Sequence, residues 1–237
     1  MNQQSLAPID RVSLRARVYE ILQRAIITGE LEPGQRVRDQ DIAGQLGVSR
    51  TPVREALQRL EDEGLVETRR GSLTRIMPLD TPAARDAFPL VAALHAFATR
   101  AATPHLAPAD LAALRVANAD LAAALSTEDV KGAIAADDRF HLRFIECARN
   151  SELAPTLDRL TSKIRRLEVA RFGSLAGRRS VEQHGAIIVA AEQRNANLAA
   201  ELVEQNWLGL GELILASLSQ SEPQLQSNNP ANNPEPR

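Results

Sequence analysis

Two short amphipathic helical patterns are separated by only three residues, Gly47-Val48-Ser49, and the hydrophobic period changes directly after the second. In the first, Ile42, Ala43 and Leu46 turn inward, Gly47 ends the helix and Asp39 is read as its cap. In the second, from about Arg50 to Glu63, Val53, Ala56, Leu57 and Leu60 form the apolar face, and Gly64 stops it. Residues 65–77 then read as a small β-hairpin, with Arg69, Arg70 and Gly71 at its tip. An earlier helix starts at Arg11, repeats Leu14, Val18, Ile21/Leu22 and Ala25/Ile26 at a spacing near 3.6, and stops at Gly29. Helix, helix, tight turn, helix and hairpin make the outline of a winged helix-turn-helix.

The second helix of the pair carries Thr51, Arg54, Glu55 and Gln58 on its polar side, with Arg50 at its leading end. Ser49 or Thr51 can cap it, and Pro52 fits a first turn whose N–H groups have no partner. A helix start with free N–H groups beside two arginines suits a phosphate backbone and a groove edge. Arginine can also grip guanine O6 and N7 with both arms of its fork. At the hairpin tip, Gly71 permits close backbone approach and Arg70 can enter a narrow minor groove. Solvated arginines on an ordinary amphipathic helix would look the same one at a time, and residues 1–80 hold 12 basic against 12 acidic side chains. The joint pattern decides.

That pattern resembles the GntR family of bacterial transcription regulators. The resemblance rests on Gly29-Glu30-Leu31-Glu32-Pro33-Gly34, on Leu46 through Leu57, and on Leu60-Glu61-Asp62-Glu63-Gly64-Leu65-Val66. It implies that Ser49, Arg50, Thr51, Arg54, Arg70 and Gly71 meet double-stranded DNA. It also implies a homodimer whose two readers take the half-sites of a palindromic operator. Gln40 stands where relatives can carry a DNA-contacting arginine.

Composition narrows the rest. The chain has 237 residues, 44% of them apolar, enough to bury a core in one or two domains. Its net charge of −2 excludes nucleic-acid binding through bulk charge, so affinity must come from a few placed arginines. Only Lys131 and Lys163 are lysine, a bias that runs through the whole chain and is not a signature of the reader alone. A single cysteine, Cys147, excludes an intramolecular disulfide framework or a CxxC knuckle. Without a signal-like start or a long apolar run, the expectation is a cytoplasmic protein with no membrane partner.

The expected organisation is mainly α. A flexible arm (1–10) precedes the winged helix-turn-helix (11–77), a linker (78–82), an all-helical bundle (83–219) and a disordered tail (220–237). The bundle reads as six helices, near 83–103, 108–126, 128–149, 151–172, 178–194 and 196–219, with Pro89 a kink or late start in the first. Asp137 and His141 are spaced i, i+4, on a face with Ile134, Phe144, Ile145 and Ala148. His184 shares a face with Ile188 and Ala191, and Asn206 with Leu202, Val203 and Leu210. A buried carboxylate needs a partner or a metal. An Asp with two imidazoles suits a divalent cation, zinc or nickel rather than calcium. A hydrogen-bonded Asp–His network without metal fits the same spacing.

This half is similar to the FCD effector domain of the FadR subfamily, in its shorter, VanR-like branch, through Asp137-Asp138-Arg139-Phe140-His141 and Glu182 to Ile188. The resemblance favours the metal, implies a small-molecule effector such as an organic acid, and implies a third histidine where this chain has Asn206, a poorer donor. Val91-Ala92-Ala93-Leu94-His95 departs from the Arg-x-x-Leu-Glu pattern of relatives. His95 then either lines the effector pocket or is a satisfied core histidine. Arg165-Arg166 and Arg178-Arg179 read as solvated surface, His105 as exposed and Cys147 as unactivated. The expected function is a repressor controlled by a metabolite. The alternatives are a metal-sensing regulator and a small metalloenzyme using a metal-bound water.

Overall fold

The computed structural model describes residues 11–69, 73–171 and 174–219. The expected arm, the wing tip with Arg70 and Gly71, and the expected tail lie outside the described residues. The first unit contains α1 (Arg11–Ile27), β1 (Arg36–Arg38), α2 (Asp39–Leu46), α3 (Arg50–Asp62), β2 (Val66–Arg69) and β3 (Leu73–Ile76). Val18, Leu22, Ile26, Val53, Leu57, Leu60, Leu65 and Ile76 close its core. Gly47 and Gly64 take positive φ, 65° and 72°, and turn the chain out of α2 and α3 at little steric cost.

Two local expectations need correction. The sheet has three strands in the order β1-β3-β2, all antiparallel, with Val37 opposite Thr74 and Glu67 opposite Arg75. The added strand, Arg-Val-Arg, is too short and charged to announce itself, and it forms because β3 offers a free edge. Asp39 is also no cap. Arg38 holds the N-cap position and Asp39 is the first helical residue, turned inward. Ser49 does occupy the N-cap of α3, but its side chain makes no capping hydrogen bond.

The second unit is helical throughout: α4 (Thr81–Ala102), α5 (Pro108–Ser126), α6 (Val130–Cys147), α7 (Leu153–Arg171), α8 (Ser174–Glu192) and α9 (Ala196–Ser219). Pro89 is accommodated inside α4, whose true start is capped by Asp80 accepting from the Ala83 N–H at 2.9 Å. The helix α4 runs along α9, where Gly211 permits close approach: a Cβ there would lie 2.8 Å from Phe88 Cγ. Phe88, Val91, Phe140, Phe144, Leu167 and Trp207 belong to one core. From Ile164 to Glu168, every residue of α7 is buried, and the helix packs against both the rest of the bundle and the first unit. No helix among the described residues is long and apolar enough to cross a membrane.

Candidate functional site

On the first unit, Arg50, Thr51, Arg54 and Gln58 stand exposed along α3. Asp39, 2% exposed, lies beneath the two arginines. Arg54 Nε donates to its Oδ2 at 2.6 Å, and Arg50 Nη2 to the same carboxylate at 3.0 Å. Burial works to raise the Asp39 pKa, but the hydrogen bonds and charges of Arg54 and Arg50 outweigh it, and the carboxyl is held below its usual range. A buried anion thus holds the guanidinium groups of both arginines while their side chains stay about half exposed. Sequence reasoning missed this brace because Asp39 directly precedes helical residues and fits the pattern of a cap.

Inside the bundle, α6 supplies Asp137 and His141, α8 supplies His184 and α9 supplies Asn206. All four are buried. One ligand atom from each of Asp137, His141 and His184 lies within 4.8 Å of the others. Asp137 Oδ1 is 3.5 Å from His184 Nε2 and 3.9 Å from His141 Nε2. Two ligands in a tetrahedral zinc shell lie roughly 3.3 Å apart at bond lengths near 2.0–2.1 Å. Asp137 and His184 are close to that spacing, and seating an ion requires the His141 ring to move inward. Both ring nitrogens of His184 and Nδ1 of His141 are buried without a hydrogen-bond partner. That is an uncommon condition for buried polar atoms, and a cation would relieve part of it. Asn206 Nδ2 donates to Gln183 Oε1 at 3.0 Å, which leaves its oxygen for the ring side. The donor set therefore fits a divalent ion of the zinc or nickel type.

The electrostatics agree with that use. Burial, then His184 and Arg165, push His141 well below the ordinary imidazole value; burial also lowers His184. Neutral imidazoles keep their lone pairs available at neutral pH. Arg165 and Arg166 are not solvated as expected, since both are buried. Arg165 binds Asp137 Oδ2 at 3.2 Å, leaving Oδ1 toward the two rings, and also pairs with Asp138 and Glu168. Glu168 is fully buried, and burial pushes its carboxyl up to about 7 against the pull of Arg165. Arg166 donates to the carbonyls of Met77 and Pro78, in the segment joining the two units. Both were misread because an arginine on a helix reads as surface until its partners are known, and Asp137 and the Met77 and Pro78 carbonyls lie far away in sequence. Arg178 and Arg179 are exposed, as is His105, in line with expectation. Cys147 is half-buried with its thiol pushed up by burial, so it is not an activated nucleophile.

His95 is buried and lines a cavity of about 540 Å³. It stacks on Trp207 with centroids 4.6 Å apart and meets the His141 ring at 5.0 Å. His141, Asp138, Arg165 and Trp207 line the same cavity, so one candidate metal ligand, His141, borders a space of the size small molecules use. Trp207 had no signal in the sequence beyond its place beside Asn206.

Comparison with known proteins bears on both units. Residues 14–76 match the family model described as bacterial regulatory proteins, gntR family, and residues 86–207 match that of the FCD domain. The chain is 34% identical over 167 residues to the Nta operon transcriptional regulator of Aminobacter aminovorans, covering 67% of this chain and 74% of that one. It is 28% identical over 193 residues to a Paenarthrobacter nicotinovorans protein named "Probable D-xylose utilization operon transcriptional repressor", covering 81% and 84%. The solved structure of E. coli McbR/YncC shares the fold, with a TM-score of 0.76, 21% identity, and coverage of 87% of this chain and 97% of that one. Such relatives are transcription regulators, not enzymes, and the metalloenzyme alternative falls away.

Proposed function

Because the chain belongs to the gntR family of bacterial transcription regulators and carries an FCD effector domain, we propose that it is a cytoplasmic repressor whose operator affinity is set by a small metabolite bound beside a divalent metal. In this reading residues 11–77 are the reader, 78–82 the linker and 83–219 the sensor. Ser49, Arg50, Thr51 and Arg54, with Arg70 and Gly71 of the wing, meet the DNA. Asp137, His141 and His184, with Asn206 as a poorer fourth donor, hold zinc or nickel. The ion supplies a Lewis-acid anchor for an anionic oxygen of the effector. Arg165 orients Asp137, and Trp207 and His95 give the effector an aromatic wall. The chain acts as a homodimer on a palindromic operator, supported by an exposed apolar stripe on α4 that includes Leu90 and Phe97. The repressor assignment draws on the name of the Paenarthrobacter relative.

One observation carries the reading: His141 of the buried Asp–His–His cluster lines a cavity large enough for an organic ligand. That cavity favours a metabolite over the ion itself as the signal. Two measurements test it. Arg54→Ala should abolish specific retardation of the gene's own upstream DNA while circular dichroism stays unchanged. Metal analysis should find about one divalent ion per chain in the wild type and none in His141→Ala. Normal DNA binding by Arg54→Ala, or a metal-free wild type that still answers its effector, contradicts the respective half.

A further inference from the structure

The cavity beside the candidate metal ligands is not enclosed by the bundle alone. Gln23 and Ile27 of α1 and Arg59 of α3 form part of its wall. These three belong to the DNA-reading unit, and Arg59 lies on the same helix as Arg54. The lining changes character along the cavity. The aromatic and imidazole groups of Trp207, His95 and His141 cluster together, their ring centroids 4.6–5.1 Å apart. Gln23 and Ser162 form a second polar group, with the Gln23 Nε2 donating to Ser162 Oγ at 3.0 Å. Leu142, Ile145, Leu157 and Ile27 add aliphatic lining.

Charge at the reader end restricts what can bind there. Arg59 stacks over the Tyr19 ring at 3.6 Å and pairs with Glu63 at 3.3 Å and Asp158 at 3.5 Å. Its charge is already matched by two carboxylates, so a second anionic group on a ligand would find no free cation. A neutral hydroxyl or amide would find Gln23, Thr161 and Ser162. Resting on the metal-assisted reading above, we propose that the reader itself completes the effector site. The site takes an elongated monocarboxylic acid: carboxylate at the metal, apolar body along Leu142, Ile145, Leu157 and Ile27, and a neutral polar group at Gln23 and Ser162.

This arrangement supplies what control of DNA binding requires. A ligand shifts an equilibrium only through different affinities for the two states. A ligand held wholly within the bundle has no direct contact that changes when the reader moves. One that touches α1 and α3 as well loses or gains those contacts with every change in reader position. The coupling runs both ways, so DNA must alter effector affinity by the same factor.

The test uses the full chain loaded with zinc, and acetate, hexanoate and 6-hydroxyhexanoate as probes. Binding is followed by calorimetry and by the fluorescence of Trp207, the chain's one tryptophan. Four additional buried methylenes should make hexanoate at least about tenfold tighter than acetate. Ile27→Asp should remove that advantage and leave acetate binding and zinc content unchanged. Gln23→Ala should remove any preference for 6-hydroxyhexanoate over hexanoate. Should Ile27→Asp not fold, Ile27→Ala probes the same wall, with roughly a threefold loss for hexanoate alone. Equal binding of acetate and hexanoate, or full hexanoate affinity in the folded Ile27 variant, overturns the inference and leaves the metal site standing. Failure of every acid to bind in a zinc-dependent way removes the metal-assisted reading and this proposal with it.

Discussion

Asp39 holds two of the arginines proposed to face DNA. A guanidinium on a solvated helix samples many rotamers, and holding it still when DNA arrives consumes binding energy. Here Arg50 and Arg54 share one buried carboxylate and are positioned in advance. Asp39→Asn keeps the shape but removes the charge, and operator affinity should fall about tenfold in fluorescence anisotropy with the helical content unchanged. An affinity equal to wild type would show that the brace is irrelevant to reading. The pH sign follows from the lowered carboxyl. Its stabilisation is present above the unfolded value near 3.9 and is lost as pH falls through the lower folded value. Acid unfolding should therefore begin at higher pH in Asp39→Asn than in wild type. The residues of the sensor differ in how readable they were. Asp137, His141 and His184 announced themselves because a polar residue on an apolar helix face has few explanations. Arg165 and Glu168 did not, because Arg165 is explained by Glu168, Asp137 and Asp138 together and Glu168 by Arg165, contacts that no periodicity encodes.

Among elements, α7 links the two units. Asp158 and Ser162 meet Arg59 and Gln23 of the reader, Arg165 turns to Asp137, and Arg166 grips the linker carbonyls. A single rigid helix thus touches the reader, the linker and the metal candidates. Packing of α4 on α9 fixes the opposite side of the cavity, where His95 meets Trp207. Gly211→Ala forces a methyl against Phe88 and should destabilise the bundle by about 1–3 kcal/mol in urea unfolding. A change within 0.5 kcal/mol would mean that α9 shifts freely and does not fix the wall. Strong periodicity made six bundle helices legible, with the start of α8 at Ser174 the largest displacement from the expected bounds. The strand β1 was not legible, since a three-residue strand exists only through a partner some 37 residues away.

At the scale of the molecule, a near-neutral chain reads DNA through geometry, not through bulk charge. One reader with two braced arginines offers little area, and in the proposed homodimer a second copy at a fixed spacing would multiply its hold on a palindrome. Leu90 and Phe97 are 56% and 47% exposed on one side of α4, too apolar a stripe to leave in water. Phe97→Asp should convert the dimer to a monomer in analytical ultracentrifugation and weaken operator binding at least tenfold. A persistent dimer would move the interface elsewhere.

In the proposed mechanism, the ligand that releases DNA is held through the metal cluster. Operator-bound wild type and His141→Ala, titrated with the same panel of carboxylic acids in fluorescence anisotropy, test it in one measurement. Both proteins should bind the operator with equal affinity before titration. An acid should release the wild type and leave His141→Ala on the DNA at concentrations at least tenfold higher. Equal release of both proteins by the same acid would contradict it.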